Sequence, residues 1–374
     1  MLPASPATGN VLGNLRPGWK PKMTWSTPTP EEQVQFLRNI QRLLSEGLFV
    51  ASYKFALVRA LADLAVLKGD DFGGPLDIDT GDIAAKFVEM YWRQSRPFPL
   101  GGQLAGVTLQ QNTGKQAAII SQIADAQTEC GTSLYRFQQT SPDRWSALVV
   151  AVGQVVRTMP LWKLQTVGQE QLDFLYDNLG RGNRITLKPG VAFCFRAFYE
   201  LIRDLIEGAW VRFVQRLNAN KLGNVTDLGT FLFGQERACL DAYRPILLDV
   251  QHGNCLYCQK PLSKQSQVDH FVPWARYPVD LGHNFVLAHV QCNNAKSDHL
   301  AAEDHLATWI DRNRLHRVEL QTRLVEAALP CDWSATSQIA KWVYQQTEKA
   351  NGQVWVAEKV LKHLGPSWSR SFAV

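Results

Sequence analysis

Apolar positions recur at helical spacing in "TPEEQVQFLRNIQRLLSEG", where Phe36, Leu37, Ile40, Leu43 and Leu44 form one face. Residues three and four apart lie above one another on a helix, so this stripe predicts an amphipathic helix. Thr29 suits the N-cap, Pro30 the first turn, acids follow, and Gly47 is the stop. "SYKFALVRALADLAVLKG" repeats the spacing through Leu57, Leu61 and Leu64 to Gly69, and "DTGDIAAKFVEMYWRQSRP" does so through Ile83, Phe87 and Met90 until Pro97. Three helices in succession predict an α-rich N-terminal domain.

Further helices are expected at 114–127, 142–158 and 190–217; the last keeps its period through Phe195, Phe198, Ile202, Leu205, Ala209 and Phe213. Between them "LWKLQ", "LDFLYD" and "NRITL" are short and β-prone, with Asn178, Gly180 and Gly182 as turn residues, which predicts a small sheet or hairpin inside the helical region. Near the C-terminus "AAEDHLATWIDRN" reads as a helix with Leu306, Trp309 and Ile310 inward, and more helix follows to about 329. The tail "NGQVWVAEKVLKHLGPSW" gives a turn and then a short strand or helix. Pro3, Pro6, Pro17, Pro21 and Pro28 with Gly9, Gly13 and Gly18 let no regular element run through the first residues. The expected division is an irregular arm over 1–28, a helical domain over 29–235, a second domain with flanking helices over 236–330, and a C-terminal segment over 331–374. No internal repeat or low-complexity tract interrupts it.

An apolar fraction of 45% and a charged fraction of 20% over 374 residues suit two or three folded domains and exclude disorder as the main state. No apolar run reaches the roughly 18 residues a membrane span needs, and the N-terminus lacks the apolar core of a secretory signal, so a cytoplasmic protein is expected. Seven cysteines, odd in number and scattered, are not a disulfide framework. Cys130, Cys194, Cys239 and Cys331 stand alone and read as buried small hydrophobes. A net charge of +5 allows a polyanionic partner without requiring one.

The remaining cysteines form a pattern. "GNCLYCQKPL" sets Cys255 and Cys258 on a tight turn, and "LAHVQC" sets His289 and Cys292 three apart, one helical turn with both side chains on one face. Together they read C-x2-C-x30-H-x2-C, two close pairs of donors suited to a structural Zn²⁺ with no open coordination position. Zinc leaves Asp269, His270, Asn284 and Asn293 unexplained. Asp269 and His270 lie in "QVDHFVP", a β-prone run closed by Pro273; a loop leads to Asn284 and a second strand at "NFVLA"; Asn293 follows Cys292 on the presumed helix. Strand, loop, strand and helix make a ββα unit too small for a core of its own, which a metal would hold together.

"CLYC", "DHFVP", "HNFVLA" and "CNNAKSD", in that order, resemble the pattern of the HNH, or ββα-metal, nuclease family. The likeness covers about residues 250–305. Two positions depart from the commonest form: Asn293 stands where His is frequent, as in the HNH domains of RNA-guided CRISPR nucleases, and His289 supplies a zinc ligand often given by Cys. With the helices and the small β element read from periodicity, the resemblance completes the expected fold class, a mainly α chain: a helical N-terminal domain with a small β element, then a zinc-stapled ββα-metal nuclease domain and C-terminal helices. It implies that His270 is the general base, that Asp269 and Asn293 hold a catalytic Mg²⁺ or Mn²⁺, and that Asn284 fixes the loop and orients His270. The chemistry agrees, because phosphodiester hydrolysis needs an activated water and a cation to offset charge, and an amide oxygen is a fit ligand for a hard cation. An imidazole, with an ordinary pKa of about 6.5, suits the base role. Adjacent strand residues point to opposite faces, so the strand must twist or end near Asp269 and His270 if both serve one site.

Lys296 and Arg276 are candidate phosphate contacts, with Lys264 and His299 behind them, each against the alternative of a solvated charge. Trp274 and Tyr277 are read either as stacking on a sugar or base or as packing the loop, and His283 as fixing the loop by a hydrogen bond. The leading expectation is a metal-dependent endonuclease acting on DNA, in a bacterial anti-phage or restriction-type setting by analogy of domain layout. Its helical domain would bind a protein partner or regulator. Two rivals stand beside it: a zinc-stapled nucleic-acid reader without catalysis, and an HNH nuclease acting on RNA. No heptad seam in the sequence sets an oligomeric state.

Overall fold

The computed structural model describes residues 25–373 except 48, 100–105, 178–181, 223–226, 235–239 and 264. Most of the expected arm therefore lies outside the described residues, as do Asn178, Gly180, Cys239, Lys264 and the side chain of Cys130.

α1 (Pro30–Glu46) starts at a reciprocal cap: Glu32 N–H donates to Thr29 Oγ1 at 3.3 Å, and Thr29 N–H donates to Glu32 Oε2 at 2.8 Å. It buries Phe36, Ile40 and Leu43 and stops at Gly47. α2 (Tyr53–Lys68) differs in kind from a one-faced helix. It is buried around almost its whole circumference from Lys54 to Val66, because Ala56, Ala60, Ala62 and Ala65 let neighbours approach between its larger side chains. Its buried Asp63 is matched by Arg59 at 3.1 Å and the Tyr199 hydroxyl at 2.6 Å.

β1 (Leu76–Asp79) leads into α3 (Thr80–Gln94), capped by Asp79. Next come α4 (Ala118–Cys130), α5 (Leu134–Thr140), α6 (Pro142–Thr158) and α7 (Pro160–Lys163), and then β2 (Thr166–Val167), β3 (Glu170–Gln171) and β4 (Arg184–Leu187). The small β element is present, as two two-stranded sheets. "NRITL" supplies β4, but its partner is β1, in the register Ile78↔Ile185, a pairing too distant in sequence to read from local pattern. "LWKLQ" is not a strand. Pro160, with φ already set for a helical first position, begins the single turn of α7 instead. "LDFLYD" runs without a ladder except for the bridge Tyr176↔Leu187. The long helix expected at 190–217 is two, α8 (Val191–Ala197) and α9 (Tyr199–Leu217), bent where Phe198 leaves helical geometry at φ −115° and ψ 23°. α10 (Ala219–Leu222) and α11 (Leu228–Phe233) follow.

Beyond α12 (Arg244–Val250) come β5 (Ser266–His270), β6 (Phe285–His289) and α13 (Val290–Lys296), the expected ββα order, and then α14 (Glu303–Leu315), α15 (Arg317–Glu326) and α16 (Trp333–Lys349). The tail forms a hairpin, β7 (Gln353–Ala357) with β8 (Val360–His363), and Trp355 bridges Ala301.

The ββα unit is not a miniature held by metal alone. β6 is buried on both faces: Val286 and Ala288 join a core that runs from Phe36 through Trp210 to Trp309 and Trp368, and Phe285 and Leu287 join a second with Tyr243, Val250, Leu320 and Leu324. Phe271 stacks on Trp309 with ring centroids 4.6 Å apart. Cys194 and Cys331 are buried thiols, as their isolation in sequence suggests. Among the described residues no helix is long and apolar enough to cross a membrane.

Candidate active site and metal centre

The cysteine turn is shaped by left-handed residues at both ends, Gly253 at φ +71° and Gln259 at φ +58°. Cys255 N–H donates to Lys260 O, and Gln259 N–H to Cys255 O, both at 2.9 Å, which closes the knuckle. The ligand atoms of Cys255, Cys258, His289 and Cys292 all lie within 4.8 Å of one another. A tetrahedral zinc with Zn–S bonds of about 2.3 Å holds its sulfurs roughly 3.8 Å apart, so the donors fit one ion. His289 Nδ1 faces Cys258 Sγ at 3.3 Å, and Nε2 donates to Pro261 O at 3.0 Å. A backbone acceptor on the far nitrogen is what fixes the tautomer of a ligating histidine. Burial raises the Cys258 thiol, but the Lys260 backbone and the neighbouring Cys255, His289 and Cys292 outweigh it and bring it below the usual thiol range. Burial and then the charges of Cys255 and Cys258 push the Cys292 thiol up to about 12. A divalent cation would remove that repulsion.

One expectation about this cluster is corrected. His289 is not on a helical turn with Cys292; it ends β6 in extended conformation, φ −62° and ψ 146°, and is the N-cap of α13. The two side chains converge because the chain turns between them.

The alternation of β5 divides the other residues. Gln267 and Asp269 face α13, while Val268 and His270 face the second core. Asp269 Oδ2 accepts the Tyr257 hydroxyl at 2.5 Å and pairs with Lys296 Nζ at 3.1 Å. Oδ1 makes no hydrogen bond among the described residues. Lys296 is fully buried and also donates to His270 O at 2.9 Å, so it is an internal cation rather than a solvated one. Asn293 Nδ2 donates to Gln267 Oε1 at 2.9 Å, leaving its side-chain Oδ1 without a partner among the described residues. The His270 ring lies against Phe285 and Trp274, centroids 4.8 and 5.5 Å away, with Nε2 2.7 Å from Asp280 Oδ1. Among the described residues, no hydrogen bond or ion pair joins this ring to Asp269 or Asn293. β5 ends at His270 itself.

Asn284 is a two-point clamp on the segment leaving β5: its Nδ2 donates to Val272 O at 3.0 Å and its Oδ1 accepts from Val272 N–H at 2.8 Å. The loop between is docked on α9. Tyr277 stacks on Tyr199 with centroids 5.3 Å apart, Arg276 pairs with Glu200 at 3.2 Å, and Arg203 donates to Ala275 O at 3.3 Å. The loop-packing reading of Tyr277 is the one the structure realises. His283 does not fix the loop through its ring, whose nitrogens are buried without hydrogen-bond partners among the described residues; burial and the Arg312 charge lower its pKa to about 4. Its carbonyl does that work, accepting from Trp309, Arg312 and Asn313 at 3.0–3.2 Å.

Sequence reasoning missed Tyr257, Gln267 and Asp280. Tyr257 sits inside the quoted knuckle, but neither its spacing nor that of Asp280 marks it as a site residue.

The family model described as a domain of unknown function (DUF8808) matches residues 33–232, more than half of the chain. The chain belongs to the DUF8808 family. A second model, described as HNH endonuclease, matches residues 255–299, and with the Cys3His cluster inside it this region is an HNH domain. The match contains the four cluster residues together with Asp269, His270, Asn284 and Asn293. No curated protein matches the chain. The crystal structure of the Type II-C Cas9 enzyme from Actinomyces naeslundii aligns at 14% identity and a TM-score of 0.19, over 87% of this chain and 44% of that one. The chain thus spans less than half of that enzyme. Within this member of the DUF8808 family, α9 of the matched helical region carries the docking surface for the HNH loop at 273–281.

Proposed function

We propose that the chain is a metal-dependent endonuclease that hydrolyses DNA phosphodiester bonds, with His270 as general base. An HNH endonuclease domain supports a nuclease. The observation that carries the residue assignment is the state of the donors around β5. A carboxylate holds His270 Nε2, while His270 Nδ1, Asp269 Oδ1 and the side-chain Oδ1 of Asn293 have no hydrogen-bond partner among the described residues. His270 Nδ1 takes the proton of the attacking water. Asp269 and Asn293 provide the oxygen donors that suit Mg²⁺ or Mn²⁺, an ion that when bound offsets charge on the phosphate and the leaving oxygen. Lys296 holds Asp269 in place from the α13 side, and Asn284 fixes the chain just beyond His270. The Cys255, Cys258, His289 and Cys292 cluster fits a structural Zn²⁺, since a filled four-ligand set leaves no position for substrate.

DNA is preferred to RNA on the family resemblance, and a restriction-type or anti-phage setting on domain layout; neither Tyr277, buried against Tyr199, nor Arg276, paired with Glu200, is presented to read a sugar. The test is plasmid cleavage with Mg²⁺ by the zinc-loaded full chain and its His270→Ala variant, with single-stranded DNA and RNA digested in parallel. Cleavage of DNA by the wild type and none by the variant is expected. A wild type that binds DNA and never cuts it returns the reading to a nucleic-acid binder; preferential cutting of RNA moves the substrate.

A further inference from the structure

We propose that Asp280 is the positioning residue for the general base, holding His270 in the Nε2-protonated tautomer and aiming Nδ1 at the attacking water. The inference rests on the assignment of His270 above. Asp280 is buried, at 8% exposure, and its Oδ1 lies 2.7 Å from His270 Nε2. An ionised carboxylate only accepts hydrogen bonds, so Nε2 carries the hydrogen, and in the neutral ring the lone pair falls on Nδ1. Nδ1 has no hydrogen bond among the described residues, and the ring cannot swing freely between Phe285 and Trp274. A buried carboxylate that fixes tautomer and orientation, and steadies the imidazolium once the proton has moved, is how an acid partner serves other hydrolytic histidines.

Asp280 is itself held. Pro330 O accepts from Gly282 N–H at 2.8 Å on one side, and on the other Tyr277 is wedged between Tyr199 and Trp342, centroids 5.3 and 6.1 Å away. The carboxylate that aims the base therefore sits on a loop whose anchor, Tyr199, belongs to the DUF8808 helices. The helical body is part of the support of the nuclease site.

The experiment compares zinc-loaded full-length wild type, Asp280→Ala, Asp280→Asn and His270→Ala, measuring single-turnover cleavage at saturating DNA, DNA affinity, and the imidazole ¹⁵N spectrum assigned through His270→Ala. Asp280→Ala is expected to slow cleavage about 100-fold or more with DNA affinity unchanged. Asp280→Asn should fall between, because an amide oxygen still accepts from Nε2 while its NH₂ can equally support the other tautomer. Wild-type His270 should show the Nε2-protonated form and Asp280→Ala a mixture. Wild-type cleavage by Asp280→Ala, with His270→Ala dead, overturns the inference and leaves the nuclease reading standing. A wild type inactive on all substrates sinks that reading, and the ¹⁵N spectrum still decides this one: a neutral His270 protonated at Nδ1 overturns it, even if Asp280→Ala fails to fold.

Discussion

Tyr257, between the two knuckle cysteines, donates its hydroxyl to Asp269 Oδ2 at 2.5 Å. The cysteine cluster and the carboxylate on β5 are thus one structure: the turn that presents Cys255 and Cys258 also aims the phenol. Burial, and then the charge of Asp269, hold the Tyr257 hydroxyl well above its ordinary pKa, so it stays a donor. With Lys296 on the same oxygen, the carboxylate has one fixed orientation and one open oxygen.

Replacing Tyr257 by Phe should remove that donor without disturbing the thiols. A hydrogen bond to a charged group contributes about 1.5–3 kcal/mol, so unfolding free energy should drop by roughly that amount. Zinc measured by elemental analysis should stay at the wild-type ratio, and plasmid cleavage should slow. Loss of zinc in this variant would contradict the separation of the two roles.

Loss of the cluster metal should act locally. β6 is packed on both faces and α16 contacts α2, so Cys258→Ser, or a strong chelator, should abolish bound zinc while far-UV circular dichroism keeps most of its helical signal. Hydrogen exchange should quicken at 252–262 and 289–296 and remain slow in α2 and α9. Global unfolding on zinc removal would show that the metal, not the shared core, holds the region together.

How much of this was legible follows from how local each cause is. The cap of α1, the ends of α2 at Gly69, and the strands around Asp269 and Asn284 are written in a few adjacent residues, and they stand where the pattern puts them. The cysteine and histidine pairs were legible because a metal needs its ligands in close pairs. Illegible features depend on distant chain. β1 finds β4 across more than a hundred residues, α2 is buried all round only because other helices enclose it, and β6 shares one core with α14 and α16 and the other with α12 and α15. Asp280 looked like any loop acid because nothing local says that the loop folds back onto His270.

His283 should make stability depend on pH. Its folded pKa is about 4, lowered by burial and Arg312, against about 6.5 when unfolded. The unfolded chain therefore binds the extra proton between those values. The stabilisation is complete above pH 6.5, is lost progressively as pH falls to 4, and changes no further below; it amounts to roughly 3 kcal/mol. His283→Leu removes this dependence, so denaturant unfolding at pH 7 and pH 4.5 should show a smaller acid loss than in the wild type. Equal losses would place the acid sensitivity elsewhere.

Arg312 is buried with no carboxylate in ion-pair reach among the described residues; burial lowers its pKa to about 9, and its guanidinium is spent on backbone and amide oxygens. Nη1 donates to Phe285 O at 2.8 Å, while Nη2 donates to His283 O and Asn313 Oδ1 at 3.0 Å. Those carbonyls flank Asn284, so the guanidinium sets the turn from which the two-point clamp on Val272 is made. A lysine carries the same charge but only a compact ammonium, and cannot span carbonyls two residues apart as a planar fork does. Arg312→Lys should cost about 1–3 kcal/mol in urea unfolding, because an ammonium cannot serve both Phe285 O and Asn313 Oδ1, whereas His283 O keeps Trp309 and Asn313 as donors. It should also slow cleavage at temperatures where the variant is fully folded, because the Asn284 clamp loosens beside His270. Arg312→Lys with wild-type stability would show that the guanidinium geometry is dispensable; full stability loss with an unchanged cleavage rate in the folded state would sever Arg312 from the site.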